Sequence, residues 1–502
     1  MAKKVIIIGA GIAGLSAGCY ARMNGFEVEI LESHDRPGGL CTDWKRGGYT
    51  IDGSLEWLVG SGPAHPFHKL WRELGAVQGR KMYDRDIFYR VTDRSGNSLN
   101  LYADPDRLER HLKEIAPEDS APIEEFCAVA RRMADFGLPP GKPPELMGPL
   151  EGLRLMGYYK KRMPDLKFLG GTKIEDFARR FSNPIARTCI ENMFMGMKDM
   201  NLFPLVMSMG PIARKAAGVP AGGSFEFAKA IEKRFLDSGG RISYRCRASR
   251  VIEQDGRAIG VAAEGRDIPA DYVLSCADLK WSLEGLLGGT HTGEAHRELL
   301  DTGKTFGCSV MVSFGVDMDL SKDSDAIMDV MELPEPMRLA GREVRWFNYH
   351  NYSYDPTMAP RAKSVIGTIL MSDYDYWEKL GRGSEAYKAE KAAIADACAR
   401  ALELRYPGIR AKIEMTDVAT PLTFARYTGD WKGTYMTWTL SREYQKKYRG
   451  IPKTVPGLEG FYLASMWTNA PGGVPSAASA GRQAIQLICA AERRRFKTNE
   501  PA

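Results

Sequence analysis

Over the first forty residues the apolar and polar positions spell a strand, a turn, a helix and a second strand. Val5-Ile6-Ile7-Ile8 is an unbroken apolar, β-prone run, the pattern of a strand buried on both faces, as in a parallel sheet. Gly9-Ala10-Gly11-Ile12-Ala13-Gly14 follows at once, Leu15 to Asn24 reads as a helix stopped by Gly25, and Phe26-Glu27-Val28-Glu29-Ile30-Leu31 alternates with period two before Glu32. Gly9 is expected to make the turn, Gly11 to let backbone N–H groups, with those of Ile12 and Ala13, approach a pyrophosphate, and Gly14 to let helix pack on strand. The positive end of the helix then faces the phosphates. Glu32, eighteen residues beyond Gly14, stands where a carboxylate accepts from a ribose hydroxyl and repels a 2′-phosphate, which selects an FAD- or NAD-type ribose.

The pattern then changes twice and returns. Residues 66–218 read as helical and rich in methionine and aromatics, among them Met156, Tyr158, Tyr159, Met163, Phe168, Phe177, Phe181, Met193-Phe194-Met195-Gly196-Met197 and Met207-Ser208-Met209. Most suit an ordinary core, and as a set they suit a pliable helical cap over a long apolar ligand. Pro220-Ala221-Gly222-Gly223-Ser224 opens a helix from Phe225 to Leu236, followed by strands at Ile242–Tyr244, Ser249–Glu253, Ala258–Ala263 and Tyr272–Cys276. Between Leu286 and Gly450 the strands lengthen, as at Cys308–Val316 and Ser364–Met371, with a helix from Glu385 to Leu404. A last strand, the turn Pro471-Gly472-Gly473-Val474-Pro475 and a helix from Ser476 into Ala491 repeat the logic of the opening. The expected fold is α/β: a discontinuous Rossmann-type nucleotide domain from residues 1–75, 215–288 and 450–495, and a substrate domain of mixed sheet plus helical cap from 76–214 and 289–449.

Composition narrows the class. A chain of 502 residues is too long for one simple domain, and 44% hydrophobic with 26% charged residues suits a folded soluble protein. Sixty-nine basic against 63 acidic residues leave +6, which does not suggest nucleic acid and does not oppose contact with an anionic membrane surface. Around Lys160-Lys161-Arg162-Met163 the alternatives are a solvated basic face and contact with lipid headgroups. Nine cysteines (19, 41, 127, 189, 246, 276, 308, 398 and 489) include no CxxC pair and read as buried thiols of a reducing cytoplasm. The seven histidines make no ligand set with them; His65 and His68 fall in a proline-containing turn, so no metal is expected. No apolar run reaches the length of a membrane span. Lys3-Lys4, the apolar run and Ser16-Ala17-Gly18-Cys19 imitate a lipoprotein signal, but the glycines and Glu32 account for the same residues, so the segment is expected to be retained.

Ser33-His34-Asp35-Arg36-Pro37-Gly38-Gly39-Leu40 decides between FAD and NAD. A second glycine pair directly after the acidic strand lets the chain fold under the pyrophosphate of a long dinucleotide, and here the chain resembles the glutathione-reductase-type flavoproteins. That resemblance assigns Ser33, Arg36, Gly38, Gly39 and Leu40 to FAD. Gly47 to Leu58, with Gly53 and Ser54, resembles the segment of phytoene-desaturase-like flavoproteins that runs past the isoalloxazine. Glu56 and Trp57 would then face the ring or the substrate mouth; a surface acid and a core tryptophan are the equal alternative. Asp355-Pro356-Thr357-Met358-Ala359-Pro360 and Thr420-Pro421-Leu422-Thr423-Phe424-Ala425-Arg426-Tyr427-Thr428-Gly429 resemble two signatures of the phytoene desaturase, carotenoid isomerase and retinol saturase family. The resemblance runs from Lys3 to about Ala491. It implies that Val251 contacts adenine through its backbone, that Ser275 ends a strand beneath the nucleotide, and that Ser465, Gly473, Val474 and Pro475 approach the flavin, the last helix aiming its dipole at N1 and O2. Two departures, Ser465 for glycine and Trp467-Thr468-Asn469 for small residues, imply a reshaped substrate side.

No second strand-GxGxxG-helix unit is present in the sequence, so a dedicated NADPH domain is not expected. The resemblance implies an FAD-dependent oxidoreductase acting on carbon–carbon bonds of a lipophilic isoprenoid or polyene, with quinone or oxygen as candidate electron acceptors and Glu56, Arg426 and Tyr427 near the reacting carbons. Desaturation, saturation and isomerisation remain open. The alternatives are an amine-oxidase-like flavoprotein and a prenyl-binding escort protein without redox activity. Oligomeric state is not legible.

Overall fold

The computed structural model describes residues 2–137, 140–193, 197, 199–448 and 450–501. Phe194, Met195 and Gly196 of the methionine-rich stretch lie outside them.

Three distant parts of the chain meet in a five-stranded parallel sheet, in the order Phe461–Leu463, Tyr272–Ser275, Lys4–Ile8, Glu27–Leu31 and Arg241–Ser243. The first strand is central: Val5 lies opposite both Tyr272 and Val28. It leaves for one neighbour through the helix Ile12–Met23, while the other neighbour arrives from far along the chain. That reversal opens a crevice at the strand's C-terminal end. Val5, Ile6 and Ile7 are fully buried, as an unbroken apolar strand covered on both faces must be. The helices Ile12–Met23, Gly223–Asp237 and Val474–Ala491 share the core on one face.

The second large element is a seven-stranded mixed sheet in the order Ile413–Ala419, Cys308–Val316, Ser364–Ser372, Arg342–Asn351, Ala326–Leu339, Ile87–Thr92 and Ser98–Tyr102. The strand expected at Cys308–Val316 has those bounds and is buried along its whole length. The helix Glu385–Arg405 packs on this sheet through Ile394, Cys398 and Leu402. Here the expectation of a helical segment over 66–218 needs correction, because Ile87–Thr92 and Ser98–Tyr102 are strands and the helices of that region cluster beyond Pro105. Ile87-Phe88-Tyr89-Arg90-Val91-Thr92 is rich in β-branched and aromatic residues, and it joins the sheet between Ala326–Leu339, which it pairs in parallel, and the edge strand Ser98–Tyr102. Beyond it, Ser120–Met133, Pro149–Gly171, Pro184–Asn192 and Phe203–Ala213 enclose a core containing Phe177, Phe181, Met193 and Met209. Met156 and Met163 remain exposed.

Two buried acids tie the sheets together at one helix end. Asp355 lies in the turn after the strand Arg342–Asn351, and its Oδ2 accepts the Gly222 N–H at 2.7 Å while Oδ1 accepts that of Thr357 at 2.9 Å. Asp52, closing the strand Tyr49–Asp52, accepts the Ser224 N–H at 2.7 Å, the Ser54 N–H at 3.0 Å and the Ser224 hydroxyl. Both carboxylates thus sit on the N-terminus of Gly223–Asp237, where its unpaired N–H groups and dipole favour negative charge. Burial pushes the Asp52 carboxyl above the ordinary range, and the three donors oppose that shift.

Helix–strand contact is closest at Gly14, where an added Cβ would stand 1.9 Å from the Gly9 carbonyl oxygen. Gly14→Ala is therefore expected to destabilise the fold by about 3 kcal/mol. Gly152→Ala, in the helix Pro149–Gly171 with nothing within 4 Å of its Cβ position, should instead stabilise by up to about 1 kcal/mol. Urea unfolding midpoints of the two variants check both signs.

Candidate functional site

A cleft of about 920 Å³ runs along the C-terminal ends of the central strands, a size within the roughly 300–1,000 Å³ typical of ligand sites. It is bordered by Gly9, Gly11, Ile12 and Ala13 from the first turn and by Gly473 and Val474 from the last. The two ends of the chain therefore meet around one groove.

At the Glu32 end the acid is fixed by backbone. Its Oε2 accepts the Ala10 N–H and its Oε1 the His34 N–H, each at 2.7 Å. A carboxylate held this way keeps lone pairs free for ribose hydroxyls. Ser33, Arg36, Gly38, Gly39 and Leu40 also line the groove. The Gly38 N–H donates to the Ala10 carbonyl at 2.8 Å, and Gly38, at φ +109°, has the Cys41 carbonyl oxygen 2.2 Å from where its Cβ would be. The second glycine loop thus folds directly onto the first and leaves bare backbone where a pyrophosphate would pass. Arg36 donates to the Asp43 carbonyl at 3.0 Å and lies 5.1 Å from the Phe225 ring centre.

At the other end Ser54 and Ser465 line the groove, and the helix Val474–Ala491 begins there after Gly473 with no side chain capping its first N–H groups. Four expected cofactor residues stand behind this surface. Gly14 supports the turn, Gly53 and Pro475 flank lining residues, and the Ser275 hydroxyl is engaged with that of Ser282 at 2.7 Å. Val251 needs correction: its strand pairs it with Val261, it does not border the groove, and Cys246, Arg247 and Ala248 take that place. A three-residue displacement along an edge strand leaves no mark in an apolar pattern.

The three catalytic candidates separate. Arg426 and Tyr427 sit on the helix Pro421–Thr428 at the cleft's rim. Tyr427 is 54% exposed and meets the His34 ring edge-on at 5.6 Å, which puts both beside Glu32. Glu56 lies deeper, away from the groove lining, with its Oε1 3.2 Å from His350 Nε2. His350 is buried on the strand Arg342–Asn351, and its Nδ1 is 3.0 Å from the Ile327 carbonyl. Arg85 donates to the Glu56 carbonyl at 3.2 Å and stacks 4.2 Å from the Tyr354 ring centre. Tyr435 links this interior to the cleft: it lines the groove, and burial together with the Glu56 charge pushes its phenol up to about 12. Glu56 is therefore a partly buried acid beside a buried imidazole rather than a surface acid.

Two lining acids had no sequence signal beyond their places after a strand and after a glycine. Asp278 is buried and accepts the N–H groups of Trp281 at 2.8 Å and Trp431 at 3.0 Å. Asp430 accepts from Trp467 Nε1 at 2.8 Å, and burial and the Asp278 charge push its carboxyl up to about 7. The Trp467 departure in the sequence thus has a partner. Among the described residues no cluster suits a metal ion, and no helix is long and apolar enough to cross a membrane.

The folded state keeps the Asp430 proton from pH 4 up to about 7, whereas the unfolded chain loses it near the ordinary value of 3.8. Folded protein binds more protons across that window, so stability falls as pH rises through it and levels off above. Asp430→Asn should remove this component, read as a flatter dependence of the urea midpoint on pH.

Comparison with known proteins agrees with this architecture. The chain is 25% identical over 476 aligned positions to the chloroplastic prolycopene isomerase of Daucus carota, covering 91% of this chain and 75% of that one. It is 23% identical over 522 positions to the neurosporene-forming phytoene desaturase of Rhodobacter capsulatus, covering 97% and 94%. Among solved structures, an oxidoreductase from Methanosarcina mazei superposes with a TM-score of 0.61 at 16% identity over 96% of this chain and all of that one. Putrescine oxidase bound to putrescine gives 0.61 at 14% over 98% and 100%. The resemblance to phytoene desaturases and carotenoid isomerases holds, and the backbone cradle suits FAD. With the flavin-containing amine oxidoreductase pattern matched over residues 12–489, the chain belongs to that family and is an FAD-dependent oxidoreductase.

Proposed function

We propose that this enzyme acts on carbon–carbon bonds of a lipophilic isoprenoid or polyene, by desaturation, saturation or isomerisation. The carrying observation is one groove bounded by both glycine turns, with Glu32 held by backbone N–H groups at one end and the last helix N-terminus at the other. The similarity to a phytoene desaturase and a prolycopene isomerase over nine-tenths or more of the chain favours polyenes. In this reading segments 1–75, 215–288 and 450–495 form one glutathione-reductase-like flavin domain, and 76–214 and 289–449 form the substrate domain under a helical cap. Nine free thiols, eight of them buried, suit a reducing cytoplasm.

Bound FAD supplies hydride exchange at N5. The chain supplies the setting. Gly9 to Ala13 and the Gly38-Gly39 turn would bind the pyrophosphate through backbone N–H groups, and Glu32 would orient the ribose. The free N–H groups after Gly473 favour negative charge at that end. Glu56 Oε1 lies 3.2 Å from the buried His350 Nε2, which has no hydrogen-bond partner of its own among the described residues, so the two would exchange one proton once aligned, with the Ile327 carbonyl fixing the imidazole orientation. Electrons would leave to quinone or oxygen.

Anaerobic incubation of the flavin-loaded enzyme with phytoene and with prolycopene tests the reading. A product differing by two hydrogens marks redox turnover, and an unchanged mass with a shifted absorption spectrum marks isomerisation. Peroxide formed from an amine, or a colourless protein holding no flavin, would sink it in favour of an amine oxidase or a prenyl escort. Glu56→Gln should lower polyene turnover about 10²-fold with flavin content unchanged, checked by steady-state rates and the flavin spectrum of the same preparation.

A further inference from the structure

The helix Pro149–Gly171 is held by one face. Tyr158 and Phe168 pack inward on the helical core, Asp165 pairs with Arg132 at 2.6 Å, and Arg162 pairs with Asp135 at 3.1 Å. The opposite face carries side chains the fold does not use. Of eight large apolar side chains exposed among the described residues, five fall between Met147 and Met163, a concentration that scattered surface residues would not produce. Leu150 is 73% exposed, Leu153 60% and Met156 63%.

Spacing puts these residues in one stripe. Positions 150, 153, 157, 160, 164 and 167 recur every three or four residues and are all exposed, so they share a helix face, with Met156 and Met163 alongside. The N-terminal half of the stripe is apolar and the C-terminal half is basic. Lys160, Lys161 and Lys167 make no ion pair among the described residues, unlike Arg162 on the inner side. Pro164 lacks an N–H, which leaves the Lys160 carbonyl without its helical donor on the same outer face.

We propose that this face docks on an anionic lipid surface, with Leu150, Leu153 and Met156 entering the acyl boundary and Lys160, Lys161 and Lys167 meeting headgroup phosphates. Apolar side chains need a partner that excludes water, and unpaired lysines beside them need one carrying negative charge; an anionic bilayer surface offers both. Long lysine stems can lie along the apolar layer while the ammonium groups reach the phosphates. A second copy of the chain fits poorly. A twofold contact through this stripe would set lysines against lysines or lysines against leucines. The docking surface stands independently of the chemistry assigned to the cleft.

The test is co-sedimentation of the full flavin-loaded chain with phosphatidylcholine vesicles, with and without phosphatidylserine. The wild type should bind the phosphatidylserine vesicles, and binding should weaken with added salt. Leu150→Ser/Leu153→Ser/Met156→Ser leaves the charge unchanged and should weaken binding about tenfold or more. Lys160→Glu/Lys161→Glu/Lys167→Glu should abolish the preference for anionic vesicles. Unchanged flavin absorbance and far-ultraviolet circular dichroism show that each variant is folded. A wild type that stays in the supernatant with both vesicles, or folded variants that sediment like the wild type, would overturn the proposal. So would a stable dimer, seen by sedimentation velocity without lipid, that the serine variant dissolves.

Discussion

Everything in this molecule depends on how closely the first helix lies against its own strand. The Gly9 carbonyl occupies the space a Gly14 side chain would need, while the Gly9 N–H donates to the Leu31 carbonyl at 2.8 Å. One residue thus fixes strand, turn and neighbouring strand together. Because the turn is so tight, the Gly38 loop can reach the Ala10 carbonyl and leave backbone exposed toward the cleft. A looser contact would place side chains where bare backbone now faces the cleft.

The seven-stranded sheet is registered to this centre by charge rather than by apolar contact alone. Asp52 and Asp355 come from different sheets and close on the N–H groups of one helix end. Each acid is buried, and each is satisfied by several donors, so the joint resists the cost of burying charge. The Asp-Pro-x-x-Ala-Pro resemblance gains a physical meaning: its aspartate is a structural strut whose place is set by Gly222, and its prolines shape the turn that presents it.

Around the cleft the chain arranges acids by depth. Glu32 at one end is held by backbone donors, Glu56 stands beside a buried imidazole, and the Asp430 carboxyl is raised by burial and by its neighbour Asp278. At Asp430 burial and a neighbouring acid act together to hold a proton on a carboxyl that lines the cleft. On the outer helix Leu150, Leu153 and Met156 are mostly exposed and lie outside the core beneath them.

The sequence by itself determined the nucleotide-binding half. Unbroken apolar runs, glycines at fixed offsets and an acid at the end of the second strand are local signals, and short-range backbone geometry turns them into structure without help from elsewhere. The strand Cys308–Val316 and the helix beginning at Glu385 were legible for the same reason. Tertiary structure alone decided the rest. Ile87–Thr92 becomes a strand because a distant partner, Ala326–Leu339, offers its edge. Cys246 to Ala248 rather than Val251 border the groove, because register along an edge strand is set by its neighbours. His350 meets Glu56, and Trp467 meets Asp430, across hundreds and tens of residues respectively. Such pairings are long-range contacts, and no pattern read along one chain segment contains the position of another.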